Sequence, residues 1–242
     1  MFDKFIKASN EYTDFGKSIN APYIRRSFDL SFVPSKAILR IVSTGFYELH
    51  LNGKRITREY LAPYISNPTQ MLLYDKYDIR EYVAAGKNAV GVILGNGFAN
   101  QTVRSWNYSS ADFRAPLSFS MEIVAESTEN SFSLISDESF KIHPSHIVYD
   151  MYRYGTHIDA RMEIKEWSCA DFDDNSWQNA LIAPRPLEKI LRSTVSPIAK
   201  ICEIAPVKIE KQSNIHYLKT AYRNGENVPF SKTSGYLYDF GI

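Results

Sequence analysis

Gly45-Phe46-Tyr47-Glu48-Leu49-His50-Leu51 alternates residue by residue, with Tyr47, Leu49 and Leu51 on one face of an extended chain and Phe46, Glu48 and His50 on the other. Asn52-Gly53 follows at once. Both residues tolerate the positive φ of a type I′ turn, so the pair predicts a tight hairpin with Lys54-Arg55-Ile56 starting the return strand. A helix cannot satisfy a two-residue period closed by such a turn, and the chain around it must therefore build antiparallel sheet. Short runs of the same kind recur. Phe28, Leu30 and Phe32 alternate, and Ile38-Leu39-Arg40-Ile41-Val42 suits a strand buried on both faces. Further strands are expected at 72–77, 88–94, 117–124, 132–135 and 158–164, with one helical turn over 78–83 closed by Gly86. This spacing predicts an all-β, antiparallel β-sandwich.

Pro184, Pro186 and Pro197 mark a connector. The expected organisation is a lead-in over 1–20, a main sandwich over 21–186, and over 187–242 a linker with the start of a second β-sandwich, its strands near 201–209 and 235–240.

Charge and composition exclude several classes. Lys and Arg total 28 against 27 Asp and Glu, and the basic residues are scattered, so no electrostatic footprint for nucleic acid or an anionic membrane exists. No apolar run reaches the roughly 20 residues of a membrane span, and residues 1–10 lack a signal peptide's apolar stretch, so the chain as written is expected in the cytoplasm. Cys169 and Cys202 have no metal-ligand spacing and read as free thiols. The five histidines contain no HxxxH or HxH pair, and no metal site is assigned.

Gly95-Asn96-Gly97 breaks regular structure but lacks the later glycine of a dinucleotide fingerprint and the Gly-Lys-Ser/Thr of a P-loop. It opens the most site-like stretch, 96–112. There Asn96, Asn100 and Gln101 supply paired donors and acceptors beside the flat rings of Phe98, Trp106 and Tyr108, a combination suited to the vicinal hydroxyls and apolar faces of sugars. The competing reading is that these aromatics anchor a long loop onto the sandwich. Asp173-Asp174 could be taken for an acid pair, but followed by Asn175-Ser176 it is better suited to a turn bonded by its own side chains.

The segment from Gly45 through Asn52-Gly53-Lys54-Arg55 to Leu61-Ala62-Pro63 resembles the N-terminal domain of bacterial α-L-rhamnosidases. Tyr74-Asp75-Lys76-Tyr77-Asp78-Ile79, the run from Gly86-Lys87-Asn88 to Gly95-Asn96-Gly97-Phe98, Ile158-Asp159-Ala160-Arg161, Phe172-Asp173-Asp174-Asn175-Ser176-Trp177 and Tyr238-Asp239-Phe240-Gly241 resemble the family in the same order. The resemblance implies a jelly-roll-like domain that aids substrate recognition. It places inverting hydrolysis of terminal α-L-rhamnose in a downstream (α/α)₆ barrel, so no catalytic residue is assigned. The implied partners are rhamnose-containing glycans or glycosides and that barrel. The sequence departs from the family after Ala62-Pro63, where Tyr64-Ile65-Ser66-Asn67-Pro68 replaces the usual Gly-Trp-Thr-Asp-Tyr, and before Asp159, where Gly155-Thr156-His157-Ile158 replaces Gly-Glu-x-Tyr. Some relatives bind rhamnose through calcium in an accessory domain; with these changes no cofactor is assigned. Two functions compete: a carbohydrate-recognition module, and a structural or dimerisation module without sugar binding. Hydrolysis by the chain itself ranks last.

Overall fold

A computed structural model describes residues 2–13, 17–67, 69–100, 111–151, 155–213 and 235–241. Its strands, in chain order, are β1 (Phe5–Lys7), β2 (Pro22–Leu30), β3 (Lys36–Ser43), β4 (Phe46–Leu51), β5 (Lys54–Arg55), β6 (Glu59–Tyr60), β7 (Leu72–Asp78), β8 (Gly86–Gly95), β9 (Ser118–Glu126), β10 (Ser131–Ile135), β11 (Lys141–Pro144), β12 (Ile147–Met151), β13 (Gly155–Ile158), β14 (Gln178–Asn179), β15 (Leu181–Ala183), β16 (Ile190–Arg192), β17 (Ile198–Ala199), β18 (Lys208–Gln212) and β19 (Gly235–Asp239). The molecule is all-β, and no helix of the described residues is long and apolar enough to cross a membrane.

Two large sheets form a sandwich. One runs β15-β1-β9-β3-β7-β16, with β10 also paired to β9; the other runs β14-β11-β2-β8-β4-β5. Neighbours are antiparallel except β16 and β7, which are parallel. Register brings inward residues opposite one another: Leu39 faces Ile123 and Ile41 faces Met121 in the first sheet, while Leu49 and Ile24 both flank Val92 in the second. These residues and Leu51, Val90, Leu94, Phe119 and Phe140 form one buried cluster between the sheets. Each fully buried side chain of this size contributes about 1.5–3 kcal/mol. The β4–β5 hairpin has the expected two-residue turn, with Asn52 at φ 49 and Gly53 at φ 80.

The outward face of the second sheet is buried too. Tyr23, Arg25, Gly91 and Ile93 alternate with the inward residues of β2 and β8, and the largely strandless stretch 159–177 lies over them. Trp167 and Trp177 pack with Tyr23 and Ile93, with Phe172 against the cluster. A Cβ at Gly91 would stand 2.5 Å from the Trp167 ring, so only glycine leaves room for the indole on this central strand.

Several boundaries differ from expectation. The strand near 158–164 ends at Ile158, because the Asp159 carboxylate accepts the Arg161 amide at 3.1 Å and starts a 3-10 turn over Ala160–Met162. The turn over 78–83 is 3-10 at Arg80–Tyr82, and Gly86 (φ 91) opens β8 instead of closing a helix. β1, within the expected lead-in, pairs with β9 and β15. β16 and β17, beyond residue 186, pair with β7 and β6. β18 and β19 form a separate two-stranded antiparallel sheet, the first of them beginning at Lys208, not Ile201.

Gly91→Ala tests the cover over the second sheet. The added methyl forces Trp167 away, and the expected cost is about 1–3 kcal/mol, read by denaturant unfolding together with a red-shifted tryptophan emission.

Candidate functional site

β8 ends at Gly95, and the chain turns closely across the start of β4. A Cβ at Gly97 (φ 53) would stand 3.0 Å from the Cα of Gly45. The turn directs Asn96 inward, where its backbone N–H donates to Asp150 Oδ2 at 2.7 Å and its Nδ2 to the Asp150 carbonyl at 2.9 Å. Burial raises the Asp150 carboxyl above the usual carboxylate range, partly offset by that backbone donor. Asn100 is held by its N–H on the Asn96 carbonyl and accepts the Thr13 N–H on Oδ1 at 3.0 Å. The Arg114 guanidinium donates to the Thr13 carbonyl and lies 4.8 Å from the Tyr12 ring centre. Two buried amides therefore anchor the beginning of the loop to the N-terminal segment and to β12.

Asn96 and Asn100 also line a cavity of ≈ 720 Å³. Its wall continues through Leu117, Ile142 and Met162, which are apolar, and through His143, Ser176 and Gln178, which are polar. Phe98 is not part of this wall. It meets Phe46 edge-on at 6.4 Å and belongs to an aromatic cluster with Phe113, Tyr149 and Met151. Of the six residues expected to bind sugar, the structure brings Asn96 and Asn100 to one cavity and puts Phe98 in a packing role. Gln101, Trp106 and Tyr108 lie outside the described residues.

Asp173 and Asp174 have separate duties. Asp173 Oδ1 accepts the Asn175 N–H at 3.0 Å, the local turn bond expected of it. Asp174 Oδ2 pairs with Nη1 of Arg25, whose side chain is fully buried. Cys169 and Cys202 are free thiols.

A second polar constellation has no counterpart in the sequence reading. Tyr47 Oη donates to Asp75 Oδ2 at 2.7 Å and lies 2.8 Å from Tyr77 Oη, which is 3.1 Å from Glu59 Oε1. β7 presents Asp75 and Tyr77 on one face, β4 reaches them from the opposite sheet, and β6 adds the glutamate. Burial raises both tyrosine hydroxyls, and it raises the Asp75 carboxyl with Glu59 adding to the effect. Alternation along β7 could have signalled that Asp75 and Tyr77 share a face; the joining of β4 and β6 is tertiary.

Known proteins share this fold. The α-L-rhamnosidase structure from Dictyoglumus thermophilum superposes with a TM-score of 0.73 at 32% identity, over 86% of this chain and 24% of that one. An α-L-rhamnosidase from Aspergillus terreus shares the fold with a TM-score of 0.77 at 20% identity, over 88% of this chain and 24% of its own. These matches define a β-sandwich module shared with glycoside hydrolases. An α-L-rhamnosidase of Formosa agariphila is 31% identical over 204 residues, covering 80% of this chain and 21% of the relative. The family model for the α-L-rhamnosidase N-terminal domain matches residues 33–202, and the chain belongs to that family. It spans between about a fifth and a quarter of the length of these relatives.

The two aspartates separate by substitution. Asp174→Ala leaves the buried Arg25 guanidinium without its counter-charge and is expected to cost about 3–5 kcal/mol. Asp173→Ala removes one turn bond and should cost about 1 kcal/mol or less. Urea unfolding of both variants beside the wild type measures the difference.

Proposed function

We propose that the chain is a non-catalytic recognition and scaffolding module of an α-L-rhamnosidase, binding a rhamnose-containing glycan or glycoside in the cavity beside Asn96 and Asn100 and working with a catalytic (α/α)₆ barrel on the same polypeptide. The cavity carries this reading. A deoxy-sugar has hydroxyls on its ring and a methyl group, and here amides, a hydroxyl and an imidazole stand beside Leu117, Ile142 and Met162. The anchoring bonds use Asn96 Nδ2 and Asn100 Oδ1, leaving Asn96 Oδ1 as an acceptor and Asn100 Nδ2 as a donor for the ligand. The proposed recognition runs through these amides and hydroxyls.

Titration of the chain with methyl α-L-rhamnoside by calorimetry is expected to show a Kd of about 1 mM, near −4 kcal/mol, unchanged by EDTA. Gln178→Ala, on the exposed part of the wall, should weaken it roughly tenfold, or about 1.4 kcal/mol. Saturating sugar that produces no heat and no shift at Asn96, Asn100 or Gln178 refutes the binding role, and turnover of an aryl α-L-rhamnoside by the pure chain refutes the non-catalytic one.

The second reading, a structural or dimerisation module, is favoured by the apolar exposure after β17. Ile201 is 98% exposed and Val207 72%, while Ile209, Tyr236 and Tyr238 on β18 and β19 are each more than half exposed. Sedimentation distinguishes it: a concentration-dependent dimer broken by Ile209→Lys and Tyr238→Lys supports this reading, and a monomer at all concentrations removes dimerisation.

A further inference from the structure

We propose that the cleft where β6 and β17 meet β7 is a second saccharide site, independent of the cavity beside Asn96, built on the chain Glu59–Tyr77–Tyr47–Asp75. The argument begins with hydrogens. Three oxygen–oxygen contacts link the four side chains, at 3.1, 2.8 and 2.7 Å, and the two tyrosine hydroxyls supply only two hydrogens. With both carboxyls ionised, one contact has acceptors on both sides and no proton between them. The four groups therefore hold more acceptor capacity than hydrogens, and on Glu59 and Asp75, which line the cleft, that capacity is open to a donor from outside. A sugar hydroxyl is such a donor, and adjacent hydroxyls can reach more than one acceptor.

The rest of the cleft selects for a neutral, ring-shaped donor. Its lining sets the Arg192 cation beside Glu59 and Asp75, and a hydroxyl donor meets the two carboxylates without adding a charge. Tyr60 and Tyr64 are 47% and 50% exposed at its rim and offer the aromatic surface on which a pyranose face rests. The Arg55 guanidinium lies 5.5 Å from the Tyr60 ring centre and helps to fix that ring before any ligand arrives. The cavity of ≈ 120 Å³ is small, with room for the hydroxyl-bearing edge of one ring.

The open acceptors also set a pH dependence. The titratable and charged groups facing the chain are Tyr47 from β4, Glu59 from β6, Tyr77 from β7 and Arg192 from β16. Asp75 is the carboxyl held above its ordinary value by burial. As pH falls through that raised value, protonation removes the acceptor charge of Asp75, and affinity drops; as pH rises, binding recovers.

The test is a ¹H–¹⁵N chemical-shift titration of the whole chain with methyl α-L-rhamnoside and methyl α-D-glucoside, repeated at mildly acid and neutral pH. The expected result is millimolar binding that shifts Tyr60, Tyr64, Tyr77 and Ser193, falls at least tenfold in Tyr60→Ala and in Glu59→Gln, weakens in acid, and persists in Gln178→Ala. Tyr60 is a rim residue, so Tyr60→Ala keeps the test decisive even if Glu59→Gln unfolds. Absence of shifts at these positions with either sugar, or wild-type affinity in Tyr60→Ala, overturns the proposal. Shifts confined to Asn96, Asn100 and Gln178 do the same while leaving the first cavity standing, and loss of only those shifts strikes the first reading alone.

Discussion

The Arg25 guanidinium stands on the outward face of β2 with no exposure to solvent, where an uncompensated charge would cost several kcal/mol. Its partners are the Asp174 carboxylate, the carbonyl of Cys169 at 2.9 Å, Ser27 Oγ at 3.1 Å and the more distant Phe172 carbonyl, with the Phe172 ring 5.3 Å away. Burial lowers the Arg25 pKa from its ordinary value. Three of these partners lie in one stretch without strands, so β2 is stable as a buried strand only when that stretch is folded down. Docking it seats Trp167 over Gly91 and Trp177 beside Tyr23, so the ion pair and the aromatic cover are parts of one cooperative layer.

This layer explains how much could be read from sequence. The β4–β5 hairpin was legible because its two determinants, period-2 alternation and an Asn-Gly turn, are local. The inner core was legible for the same reason: Leu39, Ile41, Leu49 and Leu51 sit at alternate positions of apolar-rich runs. Arg25 was not, since in an alternating strand an arginine reads as the solvent side, and only Asp174, 149 residues away, makes it an interior residue. The parallel pairing of β16 with β7 was hidden likewise, because three residues between prolines carry no periodicity.

The candidate sites divide along the same line. The loop opening at Asn96 announced itself through Gly95-Asn96-Gly97, yet its amides turned out to be anchors as well as cavity lining, and Phe98 packs against Phe46 instead of joining the wall. The Glu59–Tyr77–Tyr47–Asp75 chain joins residues from three strands in three sheets. Nothing local marks it. The aromatic layer seals one broad face of the sandwich, and both of these constellations lie away from it.

β16 bonds in parallel to the outer edge of β7, and Lys189 O and Tyr74 O take part in flanking bonds to Leu72 and Ser193. A recombinant piece cut at the proline connector would strip that edge and leave a row of unsatisfied amides and carbonyls on a seven-residue strand. Such an edge recruits strands from other molecules. The few residues after the prolines thus act as a stopper against self-association, and any expression boundary for this module belongs beyond them.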